Sequence, residues 1–363
     1  ILSSVKLGDV LAIDGGTGEV EINPKDKEIT KKSQSFKELK NNLEQYKTKK
    51  TITKDGYKDF VLEGNIGSPK DVASVLSNGG EGIGLFRSEF LYMDNDHFPT
   101  EDEQFIAYKQ VIEDMKGKIT IIRTLDIGGD KKLSYFKFPE EMNPFLGYRA
   151  IRFTLDRKDI FRSQIRALLR ASAFGPVGIM FPMIATIDEF KTAKQFVVEC
   201  KQELTKEGIK VGNDLQIGMM VEIPATAVLS QQFAKHADFF SIGTNDLIQY
   251  SMAADRMSEH VTYLYQPYNP AILNLIKLVI DGAHKHKKVG MCGEMAGEPE
   301  AIPLLMGLGL DAYSMSATSI PQARSIMAKL SLDETQSLAT TALNCETSDE
   351  VLELVKKVML KIK

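Results

Sequence analysis

The sequence predicts an α/β fold: a closed (β/α)8 barrel of the TIM type, preceded by a linker helix and a β-hairpin. Two observations carry this. From about residue 57, eight short apolar runs alternate with longer stretches of helical periodicity, the pattern of a parallel sheet wrapped by helices. Arg87, Arg123, Glu222, Asp246 and Cys292 each stand at or just past the end of a different run. A closed parallel barrel gathers its strand ends on one rim and keeps its chemistry there. An open doubly wound sheet would place a site between two strands only, so residues of these types at the ends of five runs favour closure.

The elements follow in order. Residues 1–24 alternate apolar and polar with glycine-rich turns, which reads as a hairpin turning at or near Asp14-Gly15-Gly16. Such a hairpin is too small to be a domain alone, and it is expected to be the tail of a larger β-containing domain. Residues 25–56 are lysine-rich. Ser35 and Glu38 have capping-box spacing, and Phe36, Leu39, Leu43 and Tyr46 recur at helical intervals, so a charged connecting helix is expected with its lysines solvated. Residues 57–363 form the barrel domain. Its expected strands are DFVLEGNIG (59–67), GIGLF (82–86), ITIIRTLDI (119–127), VGIMFPMIA (177–185), IGMMVEIP (217–224), FFSIG (239–243), VGMCGEM (289–295) and DAYSMS (311–316). A long insertion separates the third and fourth. The C-terminal SDEVLELVKKVMLKIK reads as a closing amphipathic helix with Leu352, Val355 and Met359 on one face.

Composition narrows the function. The chain has 363 residues, 43% of them hydrophobic, and a formal net charge of -4. Slight acidity argues against nucleic acid as the main partner. No apolar run approaches transmembrane length and the N-terminus has no signal-peptide pattern. Cys200, Cys292 and Cys345 are too widely spaced for a disulfide framework or a zinc site, which fits a reducing, cytoplasmic setting. Neither a GxGxxG nor a Walker phosphate loop occurs, and Ile127-Gly128-Gly129-Asp130 is too short to count. His97, His236, His260, His284 and His286 form no zinc pair and are expected in surface or packing roles.

The strand-end residues suggest a pocket for a small, multiply charged anion with a divalent metal. An arginine in an apolar strand is costly to bury unless an anion meets it, and guanidinium grips carboxylate or phosphate with two prongs. Arg87 and Arg123 on neighbouring strands therefore read as ligand-binding residues, against an internal ion pair to Glu89 or Asp126. Glu222 and Asp246 can share one hard divalent cation, since magnesium usually takes one or two carboxylates plus water and substrate oxygens. Asp246 could alternatively cap the helix beginning at DLIQYSM. A capping role for Glu222 is unlike its place just before Pro224. Thr244-Asn245-Asp246 opens a helix whose free N–H groups can accept phosphate, and Arg256 could reach the same anion or be a surface charge. Cys292, flanked by glycine, reads as an acid or nucleophile, whereas Cys200 in a helical stretch reads as inert core.

Six segments carry a resemblance: GEGIGLFRSEFLYMD, RTLDIGGDK, NPFLGYRAIR, MMVEIPA, FFSIGTNDLIQYSMAADR and VGMCGEMAGEP. In this order they resemble the phosphoenolpyruvate-utilising enzymes, and within them the Enzyme I family of the bacterial sugar phosphotransferase system, over about residues 57–340. The resemblance implies a barrel binding phosphoenolpyruvate and Mg2+. It implies that Arg87, Arg123, Arg256 and Asn245 contact phosphoenolpyruvate, with Arg149 of FLGYR near the phosphate. It implies Glu222 and Asp246 as metal ligands and Cys292 as proton donor to the enolate carbon. The implied partners are phosphoenolpyruvate and pyruvate, a second copy of the barrel, the enzyme's N-terminal domains and a histidine-containing phosphocarrier protein. The family's acceptor histidine lies in a G-G-x-T-S-H segment that does not occur here. Residues 15–24 resemble the last hairpin of the swivelling domain that carries it, so binding without efficient turnover is expected of these 363 residues alone. A pyruvate phosphate dikinase or phosphoenolpyruvate synthase barrel, and a sensing or dimerisation module without chemistry, are the alternatives.

Overall fold

A computed structural model describes residues 4–13, 20–25, 38, 41–129, 131–284 and 287–362. The hairpin pairs β1 (Leu11–Ile13) with β2 (Val20–Ile22) in antiparallel register, Ala12 opposite Glu21. Its turn, with Asp14-Gly15-Gly16, lies outside the described residues, as do Ser35, Phe36 and Leu39 of the expected linker helix. Glu38 and residues 41–44 are helical, continuing as a 3-10 turn over Gln45–Lys47.

Eight strands then close a barrel. They are β3 (Val61–Ile66), β4 (Ile83–Arg87), β5 (Thr120–Arg123), β6 (Val177–Phe181), β7 (Leu215–Val221), β8 (Phe240–Ile242), β9 (Val289–Met291) and β10 (Ala312–Met315). Neighbours follow chain order, β10 closes against β3, and every pair is parallel. Each of the eight expected runs overlaps one of these strands; six enclose it, while β4 runs one residue past the expected end and β7 begins two residues before the expected start. Strands buried on both faces read as short continuous apolar runs rather than as alternation, and β6 is buried throughout. The main core fills the space between strands and helices, where Phe161 stacks on Phe196 at 5.1 Å between ring centroids. Inside the barrel a smaller plug of Leu85, Met180, Met220, Phe239 and Cys292 separates the two ends. Among the described residues no helix is long and apolar enough to cross a membrane.

Two features tie the ends of the chain to the barrel. Arg324, buried in the helix Ile320–Met327, donates to the carbonyls of Tyr46 and Gly79 (2.6 Å each) and to Thr51 Oγ1 (3.1 Å). The last linker turn is thereby fixed to the barrel. The closing helix runs Ser348–Ile362, but its packed face is Val351, Leu354, Val355, Val358, Met359 and Ile362. Leu352 falls beside that stripe, so the expected face was rotated: Val351 and Leu354 are the apolar residues one turn away from Val355 and Val358 on the side that meets the core.

Glu63 on β3 is a buried acid below the plug, where Gly84 on β4 leaves it room. A Cβ there would stand 2.4 Å from Glu63 Oε2. Burial, then the like charge of Glu81, pushes the Glu63 carboxyl up to about 7, against the opposing pull of Lys288. The folded chain therefore holds this proton more tightly than the unfolded chain. The stabilisation is complete below the ordinary value of 4.5 and is lost as pH rises through about 7. Glu63→Gln should remove a pH-dependent loss on the order of 3 kcal/mol between pH 4.5 and 8, read as a smaller shift of the urea midpoint across that range than in the parent protein.

Candidate active site

At the C-terminal ends of the strands lies a cavity of about 610 Å3. Its walls include Arg87, Arg123, Glu222, Asn245, Asp246, Arg256 and Cys292, together with Glu89, Asp126, Lys131, Tyr265 and Glu294. Seven of the eight residues expected at a site thus meet here. Arg149 is the exception. It lies behind the wall, 2% exposed, with Nη2 2.9 Å from Asp126 Oδ1 and Nη1 3.6 Å from Asp246 Oδ1.

The local structure explains the convergence. Arg87 and Arg123 are register partners at the ends of β4 and β5. Arg123 is buried and paired: it bonds Glu89, and its Nη1 lies 3.0 Å from Asp126 Oδ2. The ion-pair and ligand readings of this arginine therefore both hold a place, because the paired side chain also faces the cavity. Half-buried Arg87 has no carboxylate partner among the described residues, and neither has the guanidinium of Arg256. Lys131 completes the cluster, with Nζ 2.9 Å from Glu89 Oε1 and 3.1 Å from Asp126 Oδ2.

Sequence reasoning missed Lys131. The signal was the preceding glycine pair, discounted as a phosphate loop. Gly128 and Gly129 have φ of 106° and 67°, and Gly128 N donates to Lys131 O at 3.1 Å. This tight turn folds Lys131 back over the strand ends. Gly128 also lies against the backbone of Arg149, where a Cβ would stand 2.6 Å from the arginine's Cβ.

Glu222 follows β7 directly and is 1% exposed. It caps no helix; its Oε1 accepts from Met183 N at 2.6 Å, tying it to the loop after β6. Burial, then neighbouring Asp246 and Asp126, pushes its carboxyl up to about 8, against Arg149 and Arg123. Asp246 lies within the first turn of the helix Thr244–Ser251, whose N-cap is Gly243, so the capping role weighed for it is not what it does. Among the described residues its buried Oδ1 has no hydrogen-bond partner. Three cations (Arg123, Lys131, Arg149) thus face four carboxylates (Glu89, Asp126, Glu222, Asp246). The surplus acid must hold a proton or meet another cation.

Asn245 Oδ1 accepts from Tyr265 Oη and from Glu294 N, both at 3.3 Å, which leaves its amide N–H groups to donate elsewhere. Cys292 stands one residue past β9, 3% exposed. Burial pushes its thiol up to about 11, against a hydrogen bond with Ser241 and the charges of Arg123 and Arg87. It is a held proton at neutral pH rather than a thiolate nucleophile. Cys200 is fully buried with its thiol pushed up to about 12, as expected of inert core. No described histidine lines the cavity; His286 lies outside the described residues.

A closed parallel barrel that gathers guanidinium groups and a carboxylate pair at the C-terminal ends of its strands has the architecture of a (β/α)8 scaffold, which keeps its chemistry at that face. The sequence profile described as "PEP-utilising enzyme, PEP-binding domain" matches residues 40–332, and the chain belongs to this family. It is 64% identical over 360 residues to a phosphoenolpyruvate-protein phosphotransferase of Mycoplasma capricolum subsp. capricolum, covering 98% of this chain and 62% of that one. Proteins of the same name from Latilactobacillus sakei (59%, 96% of this chain, 62% of theirs) and Staphylococcus carnosus (56%, 98% and 63%) are similar along the same span. The chain therefore spans about three fifths of the length of these relatives.

Arg149 is expected to be structural in the first place. Removing its charge with Arg149→Met takes one of three cations from Asp126 and leaves Asp246 buried without an ion-pair partner among the described residues. The variant should lose about 3–5 kcal/mol in denaturant unfolding, whereas a residue serving only a ligand would leave the midpoint in place.

Proposed function

We propose that this chain binds phosphoenolpyruvate with Mg2+ and supports transfer of its phosphoryl group to a histidine, releasing pyruvate, as in the first step of the sugar phosphotransferase system. The observation that carries the reading is the pair of unpartnered guanidinium groups, Arg87 and Arg256, facing the same cavity as a carboxylate pair. Phosphoenolpyruvate carries a phosphate and a carboxylate on a three-carbon skeleton, and guanidinium matches both.

The donor set fits magnesium. Asp246 Oδ1 is, among the described residues, a buried acceptor without a donor, and burial together with the like charges of Asp246 and Asp126 pushes Glu222 towards protonation, which a divalent cation would relieve. Among the described residues no group of three or more histidine, cysteine or acidic side chains could hold a metal, so Glu222 and Asp246 would supply two ligands and substrate and water the rest. When bound, the ion would supply Lewis-acid stabilisation of the negative charge that develops on the substrate.

The chain's own residues account for the remaining work. Arg87, Arg123, Arg256 and the Asn245 amide bind and orient the anion, and the guanidinium charges stabilise the phosphoryl group as its bond to the enolate oxygen breaks. Lys131 stands beside them as a further donor. Arg149 sets the positions of Asp126 and Asp246 from behind. Cys292 delivers its proton to the enolate carbon, giving pyruvate. A buried thiol held in the neutral form suits that step, since it keeps its proton until a stronger base, the enolate carbon, is formed.

The reading extends to partners and organisation. Residues 1–24 are the end of a phosphohistidine swivelling domain, 25–56 its linker and 57–363 the barrel and dimerisation domain. The acceptor histidine comes from the swivelling domain, the phosphocarrier protein receives the group in turn, and a second copy of the barrel completes the dimer. A cytoplasmic setting goes with this, in keeping with three free cysteines.

Calorimetry tests the binding half. Phosphoenolpyruvate should give heat with Mg2+ present and markedly less in EDTA. Arg87→Ala or Arg256→Ala should weaken binding about 10- to 100-fold, the worth of one charge-assisted hydrogen bond, with melting temperature unchanged. Absence of heat from folded protein would rule the reading out.

A further inference from the structure

We infer that Asn65 is the positioning residue for the Cys292 thiol, an assignment that rests on the proton-donor reading of Cys292. The ladder between β9 and β10 ends at Met291, paired with Tyr313. Cys292 is one residue beyond it. Its N–H still donates to Ile242 O of β8, at 3.1 Å. Its carbonyl accepts from Nδ2 of Asn65 on β3, also at 3.1 Å.

That contact is unusual in its reach. β3 is not a neighbour of β9, since β10 stands between them. The intervening strand takes part as well: Ser314 Oγ donates to Asn65 Oδ1 at 2.6 Å. The hydroxyl therefore settles which end of the amide faces Cys292. Asn65 also sits where the register between β3 and β4 shifts. Such irregularities re-aim a side chain away from the regular pleat.

Asn65 does not line the cavity, so it acts through Cys292 rather than on substrate. The peptide groups on both sides of the thiol-bearing carbon are held, one by β8 and one by Asn65. Between them they fix the direction of the Cα–Cβ bond and hence where Sγ can point. Proton transfer to carbon demands that direction, because a small misplacement of a reacting group costs far more in rate than in binding.

The test uses a reaction that needs no phosphoryl acceptor. In D2O with Mg2+, the small deprotonated fraction of Cys292 removes a proton from the pyruvate methyl group, and the C–H electron pair moves towards the carbonyl to leave the enolate. The thiol exchanges its proton with solvent and returns a deuteron to the same carbon. Loss of the methyl proton signal by NMR gives the rate. The parent protein should exchange and Cys292→Ala should not. Asn65→Leu, close to isosteric but unable to donate, should exchange about 10- to 100-fold more slowly, with pyruvate affinity by calorimetry unchanged. Ser314→Ala should slow exchange in the same direction by a smaller factor, and it decides the matter if Asn65→Leu does not fold. Parent-like exchange in both variants would overturn the assignment, as would a parallel loss of affinity and exchange. Undiminished exchange in Cys292→Ala, or none in the parent protein, would bring down the proton-donor reading and the assignment with it.

Discussion

Charges removed from water must meet opposite charges or lose them, and the upper end of this barrel is built under that constraint. Arg123 and Arg149 are nearly inaccessible, and both are gripped by Asp126, which accepts from Arg149 on one oxygen and faces Arg123 and Lys131 with the other. Arg149 then reaches Asp246. One aspartate at the end of a strand thereby links β5, the loop that follows it and the helix after β8. The result is a rigid, prepaid electrostatic frame, and preorganised charge of this kind is usually the largest single contribution to stabilising a transition state.

The frame is incomplete in two complementary ways. It has one carboxylate more than it has cations, and it stands beside two guanidinium groups with no carboxylate of their own. A substrate that brings negative charge to the arginines and a divalent cation that brings positive charge to Glu222 and Asp246 would balance both at once. In the proposed reaction the two bind as a unit for this reason. Neither half of the site is well satisfied by the protein alone, which is a common mark of a functional site as opposed to a structural ion-pair network.

Most of this was legible in the sequence because barrels have a simple grammar. Each strand is a short apolar run, and a charged residue closing such a run has few structural excuses. Arg87, Arg123, Glu222, Asp246 and Cys292 stood out on that ground alone. What did not show were side chains whose role depends on being opposite a residue far off in sequence. Lys131 sits in a loop without periodicity and is defined by Glu89, 42 positions earlier. Arg149 matched a motif, but only packing places it behind the wall. The helix opened by Thr244-Asn245-Asp246 was readable, but its cap is Gly243, and a glycine cap leaves no side-chain signature to set against capping by Asp246. Leu352 shows the limit of periodicity: several apolar residues surround the closing helix, and its partner surface decides which stripe is buried.

Deep placement of Cys292 has a bearing on chemical durability. Peroxides and disulfide reagents attack thiolates that they can reach. A sulfur that keeps its proton near neutrality offers them little thiolate, although it lines the cavity beside Met220. Exposed Met257, which also lines the cavity, would be oxidised well before it. A sulfhydryl guarded by its own proton rather than by distance can stay reduced while remaining open to a small ligand.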